Sequence, residues 1–138
     1  MRITLKHNID GKQVTRELIV KIQYDFTKPL VKTDKDQYGR WVITTWRERK
    51  TTVYVHEYDH TELPNSKTVY VGTTVCDYHD AKHYSKKTGR CLAWYNALDE
   101  MFKQGVIDED EHDALSALEL NATAYELDLS TKTIKKIM

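Results

Sequence analysis

The sequence predicts an α+β domain: an antiparallel sheet of four or five strands with two or three C-terminal helices packed on one face. Three observations predict it. Up to Cys76, apolar and polar residues alternate at period two. After Ser85, apolar residues recur at three and four. The 138 residues suit one ordinary core, so 1–138 reads as a single domain, mainly β over 1–76 and mainly α over 77–138.

Ile3 and Leu5 alternate in a first strand. Ile9-Asp10-Gly11-Lys12 supplies a turn, since Gly accepts positive φ and Asp tolerates it. Leu18, Val20 and Ile22 share one face of the strand that closes this hairpin. Asp25 to Arg40 holds Pro29, Gly39 and alternating charges, and its polarity predicts a long mobile loop. Trp41 to Arg47 reads as a strand from its β-branched and aromatic content. Glu48-Arg49-Lys50 reads as a charged hairpin tip and Thr51 to Tyr58 as the returning strand. Pro64-Asn65-Ser66 precedes a last strand, Lys67 to Cys76. Val53 and Val55 mark an aliphatic face that suits helices, to which Val69, Val71 and Val75 are assigned. The opposite face is Thr- and Tyr-rich, with Thr52, Tyr54, His56, Tyr58, Tyr70 and Thr74.

Lys86 to Gln104 carries the helical stripe Trp94, Leu98 and Met101, with Cys91, Tyr95 and Phe102 on adjacent rows. Ser85 suits its N-cap and Gly105 its C′ position. Asp108 to Leu120 predicts a second helix whose acidic first turn complements the helix dipole. Ala114, Leu115 and Leu118 face inward. Ser130 caps a short third helix over Thr131 to Met138.

Lys plus Arg equals Asp plus Glu at 21 each, which argues against a DNA-coating protein and against a nucleic-acid mimic. The balance hides an asymmetry. Residues 1–90 hold 17 basic and 11 acidic residues, net +6; residues 91–138 hold 4 basic and 10 acidic, net −6. Such a chain could fold onto itself or pair head to tail with another copy, and a homo-oligomer is expected. The N-terminus lacks the apolar run of a signal peptide, and no stretch approaches the roughly 18 apolar residues of a membrane span. The expectation is a cytoplasmic protein, off the membrane, with Cys76 and Cys91 reduced.

Four constellations could carry chemistry. The first is an anion site at the entrance of the main helix, formed by Lys82, His83, Tyr84, Ser85, Lys86, Lys87, Gly89 and Arg90. Free amides at a helix N-terminus point at an anion, and cations there oppose the dipole, a local violation typical of functional positions. The second is a zinc set, Cys76, His79, His83 and Cys91, whose two thiolates and two imidazoles could close a tetrahedral site. Its spacing is not a common finger pattern, so buried Cys and exposed His are the plainer reading. The third pairs His79 or His83 with Asp77 or Asp80 as a general base and its orienter. No nucleophile elbow or hydrolase motif accompanies it, so no catalytic residue and no cofactor are assigned, and the chain leans away from an enzyme. The fourth is a nucleic-acid surface, with Arg47, Arg49 and Lys50 beside Trp41 and Trp46.

The stretch from Cys76 to Leu98 resembles a segment of small phage-encoded proteins. These carry a Cys and an acidic residue after a strand, then aromatic-Ser-Lys-Lys-x-Gly-Arg and an Ala-rich helix. Cys76, Asp80, Tyr84, Ser85, Lys86, Lys87, Gly89, Arg90, Ala93 and Ala97 match. Tyr84 stands where Phe is common, and Asn96 where Arg is expected. The resemblance implies a phage accessory or counter-defence protein, such as the Thoeris anti-defence proteins, which sequester cyclic nucleotide signals in oligomers. The leading expectation is therefore a binding protein in the host cytoplasm that captures a phosphate-bearing ligand. Lys86, Lys87 and Arg90 would neutralise phosphate, Ser85 would donate, and Tyr84 would stack. The alternatives are an inhibitor that binds a host protein through its Tyr/Thr sheet face, at Tyr54 or Tyr70, and a nucleic-acid-binding accessory protein.

Overall fold

A computed structural model of the chain describes residues 1–59, 66–76 and 85–138. The elements run β1 (Arg2–Ile9), β2 (Lys12–Phe26), β3 (Leu30–Lys35), β4 (Trp41–Trp46), β5 (Arg49–Asp59), β6 (Ser66–Cys76), α1 (Lys86–Lys103), α2 (Glu109–Ser116), β7 (Ala124–Asp128) and β8 (Thr133–Ile137). The fold is α+β, but the sheet departs from the sequence expectation. Six strands join in the order β6-β5-β2-β1-β7-β8. All pairs are antiparallel except β1 with β7, which run parallel from Arg2 opposite Ala124 to Lys6 opposite Asp128.

The first hairpin forms as its turn residues dictate. Asp10 and Gly11 both take positive φ, 52° and 79°, and Ile9 pairs with Lys12. Beyond it, Ile3, Leu5, Leu18, Val20, Val53, Val55, Tyr125 and Leu127 bury on the face that carries the helices.

β6 reverses the expected assignment. Tyr70 pairs with Val55 and Gly72 with Val53, so Tyr70, Gly72 and Thr74 face α1. Val69, Val71 and Val75 face away and stand 41%, 45% and 45% exposed. Tyr54 and Tyr70, expected on one Tyr/Thr face, therefore lie on opposite faces. The reason is close packing. A Cβ on Gly72 would lie 2.0 Å from the Ala93 carbonyl oxygen and 2.4 Å from the Ala97 nitrogen. Only glycine allows the helix to seat this low. Asn96 holds the same crossing, its amide donating to the Thr73 carbonyl at 2.9 Å.

α1 ends as expected, with Gly105 at φ 73° and its N–H donating to the Phe102 carbonyl at 3.0 Å. α2 is shorter than the 108–120 helix expected. Asp108 and Glu111 form a capping box at its start, and Trp94 donates its indole N–H to the Leu115 carbonyl at 2.9 Å near its end. Two strands follow. The third helix expected from Ser130 onward is β8 instead, paired with β7 from Ala124 opposite Ile137 to Asp128 opposite Thr133. The two helices therefore lie between strands, not at the C-terminus.

The 25–40 stretch, expected as a loop, supplies the end of β2 and the first strand and tip of a two-stranded ribbon, whose second strand, β4, falls where a strand was expected. Among the described residues, β3 and β4 pair only with each other, Leu30 opposite Trp46 through Lys35 opposite Trp41. The ribbon is an arm inserted between β2 and β5; the Thr27 N–H to Glu48 carbonyl bond, 2.9 Å, ties its root to the sheet. The Asp36 carboxylate turns the tip by accepting from the Tyr38 and Arg40 N–H groups at 2.8 and 2.9 Å. Glu48-Arg49-Lys50 is then not a hairpin tip, because β5 pairs with β2 rather than with β4.

Candidate functional site at the entrance of the main helix

Ser85 caps α1 with extended backbone, φ −135° and ψ 147°, and its Oγ accepts from the Thr88 N–H at 3.0 Å. The same hydroxyl donates to Thr88 Oγ1 at 2.8 Å. The Ser85 hydroxyl, expected to donate to a ligand, is thus engaged by the helix itself. Gly89 is buried and donates its N–H to the Ser85 carbonyl at 3.1 Å, closing the first turn.

The cations divide between two neighbours. Lys86 and Arg90, four apart, share one face of the helix. Both reach Tyr24 near the end of β2: the Lys86 Nζ lies 4.9 Å from the ring centroid, and Arg90 Nη1 donates to the phenol oxygen at 3.1 Å. Tyr24 remains 39% exposed, so an open aromatic surface lies against two cations. Phe26 and Arg49 repeat the pattern further along, the guanidinium 5.8 Å from the ring. Lys87 points to Glu119, with Nζ to Oε1 at 4.0 Å, a pair exposed on both sides and of little energetic weight. Lys87, Arg90, Cys91, Glu119, Leu120 and Asn121 line a small cavity of about 70 Å³. That volume admits a few waters or one small oxyanion and not a nucleoside.

The first turn of α1 contains no acidic residue, so its dipole, its amides, Lys86 and Arg90 act with one sign, while the Glu119 carboxylate offsets Lys87. Tyr84, the expected stacking residue, lies outside the described residues, as do Lys82, Asp77, Asp80, His79 and His83. The His/Asp pair therefore lies wholly outside the described residues, and the zinc set is represented by Cys76 and Cys91, both half-buried and in no disulfide. Among the described residues, no three His, Cys, Asp or Glu side chains gather to hold a metal ion.

Sequence reasoning missed Tyr24. Its signal was present: Leu18, Val20 and Ile22 share a face at period two, and the next residue in that row is Tyr24. The row continues past the aliphatic core to the helix entrance.

The same row begins at Arg16, which sequence reasoning also passed over. Arg16 binds Glu57 through two nitrogens, at 2.7 and 2.9 Å, and reaches Glu111 at 2.9 Å and the Val106 carbonyl at 3.0 Å. His7 Nε2 lies 3.5 Å from Glu111. Burial alone would depress the Arg16 guanidinium, but the Glu57 hydrogen bond and the charges of Glu57 and Glu111 outweigh it and leave it raised. Glu111, 5% exposed, is thus both cap and counter-ion. This network ties α2 to the sheet.

No family model matches the chain, and comparison with curated proteins and with solved structures found no significant match. Among the described residues, no helix is long and apolar enough to cross a membrane.

Proposed function

We propose that the protein is a non-catalytic binder that captures a phosphate-bearing ligand, a nucleotide signal foremost, at the entrance of α1. The observation that carries this reading is Tyr24 held against Lys86 and Arg90. Two cations one turn apart can neutralise phosphate oxygens, and the ring beside them can stack a base. Lys87 and the amides of the first turn add to the same field. The small cavity beside Arg90 suits an oxyanion, leaving the base to the open surface around Tyr24. The resemblance of residues 76–98 to small phage proteins supports the same reading, because a sponge for a signal needs binding groups and no general base. Counter-defence use in a host cytoplasm follows from that resemblance.

Calorimetric titration with linear and cyclic nucleotides tests it. Arg90→Ala and Lys86→Ala should each weaken binding at least about tenfold while the melting temperature holds. Unchanged affinity in both variants would remove the proposal. Turnover of the nucleotide would make the protein an enzyme.

A second reading, inhibition of a host protein through the open sheet face, has one observation in its favour. Val69, Val71 and Val75 form an exposed apolar row beside Tyr54. It predicts that Val71→Lys ends the biological effect while nucleotide affinity stays as it was.

A further inference from the structure

The β3–β4 arm exposes more apolar surface than a water-facing ribbon needs. Cross-strand partners share a face, so Val31, Thr33, Lys35, Trp41, Ile43 and Thr45 lie together. On that face Val31 is 63%, Trp41 68% and Ile43 70% exposed. Its one charge is Lys35, whose Nζ sits 4.9 Å from the Trp41 ring centroid. A two-stranded ribbon alone in water is marginal at best, so an apolar face of this kind calls for a cover.

The opposite end of the molecule holds a complementary surface. A groove of about 330 Å³ runs between α2 and the β7–β8 hairpin. Leu127, Leu129 and Ile134 give it an apolar lining, while Asp110, Asp113 and Asp128 put three carboxylates on it against the single ammonium of Lys132. The arm cannot fill this groove in its own chain. Asp128 pairs with Lys6 and Lys6 with Thr15, so the groove lies level with Thr15. The arm leaves β2 at Phe26, eleven residues further along, which is about 36 Å of strand.

We propose that the arm of one copy seats in the α2–β8 groove of a second copy. Trp41 and Ile43 enter the apolar lining, and Lys35 meets Asp110 and Asp113. The charge of the two regions agrees with this pairing. Phe26 to Lys50 holds seven basic and three acidic residues, whereas residues 91–138 carry the net −6. Because the two surfaces differ, the contact is head to tail, and it closes into a ring or grows. The arm face and the groove include none of the residues at the α1 entrance, so the contact stands apart from the anion site.

Sedimentation of the full chain over a concentration series tests the proposal. The wild type should form species larger than a monomer, weakened by salt. Trp41→Ala, which keeps the groove, and Asp113→Lys, which keeps the arm, should each weaken self-association about tenfold or more. Both positions are exposed, so circular dichroism should show both variants folded. Mixed together, the two variants retain one good contact and should give a dimer and nothing larger. A wild type that stays monomeric, a variant that assembles unchanged, or a mixture that stays monomeric would overturn it. So would a monomeric wild type that binds a labelled oligonucleotide through Trp41.

Discussion

Replacing Gly72 by Ala should lift α1 from the sheet. The new Cβ would stand 2.0 Å from the Ala93 oxygen, 2.4 Å from the Ala97 nitrogen and 2.8 Å from the Ala97 Cβ, where ordinary contact begins at 3.4 Å. The shortfall at the oxygen is 3.4 minus 2.0, or 1.4 Å. Two of the three obstructing atoms are helix backbone, so no rotamer change relieves the overlap. A gap of about 0.5–1 Å already forfeits a quarter to a half of each dispersion contact. The side chains that would lose contact, Trp94, Ala97, Leu98 and Met101, are among the most buried of the chain. Overpacking that side chains can absorb costs about 1–3 kcal/mol. Here the expected loss is about 3–4 kcal/mol, a large share of the roughly 5–15 kcal/mol of a typical domain. Urea unfolding followed by Trp fluorescence measures it. A loss under about 1 kcal/mol would refute the seating of α1 on Gly72. The double variant Gly72→Ala/Ala97→Gly removes only the third contact and should recover little; full recovery would mean that the backbone does not obstruct.

Three further outcomes follow from the packing around α2 and β6. Arg16→Met strips Glu57 and Glu111 of their shared counter-ion, and with the Glu111 side chain only 7% exposed the expected loss is about 2–4 kcal/mol by urea unfolding. The Tyr70 phenol is pushed above its ordinary value by burial and then by the charge of Glu57, against the pull of Arg16. Because the folded state holds this proton more tightly, its stabilisation is complete below about pH 10 and is lost as pH rises through the raised value. Tyr70→Phe should therefore flatten the fall of melting temperature between about pH 9 and about pH 12. Asp108→Ala removes one half of the capping box and should cost about 1 kcal/mol, read as a lower urea midpoint with an unchanged slope.

Burial of one face made α1, β2 and β5 legible in the sequence, but β7, which buries Tyr125 and Leu127, follows the expected second helix too closely to have been read as a strand. α1 was readable to within a residue because Trp94, Leu98 and Met101 mark its buried stripe and Ser85 and Gly105 mark its ends. Half of the arm was readable too, since β4 carries the β-branched and aromatic residues of a strand, whereas β3, exposed on both sides with no hydrophobic period, reads as loop through K-T-D-K-D. β8 failed for the same reason: all five of its residues are exposed, and T-I-K-K-I suits a helix as well as an edge strand. Of the anion site, the cations were legible because their clustering is local. Tyr24, sixty-six positions from Arg90, was not.

By itself the sequence determined what depends on neighbours along the chain: the Asp10-Gly11 turn, the caps of α1, the alternation of β2 and β5, and the basic helix entrance. Tertiary structure decided what depends on which surfaces meet. The parallel pairing of β7 with β1 needs the two helices to carry the chain back across the sheet. The orientation of β6 turns on one missing Cβ at Gly72, since a glycine is silent until a helix is laid on it. The same holds for charge: Arg16, Glu57 and Glu111 are three ordinary polar residues until the fold places the guanidinium within 2.9 Å of both carboxylates and partly withdraws the three from water.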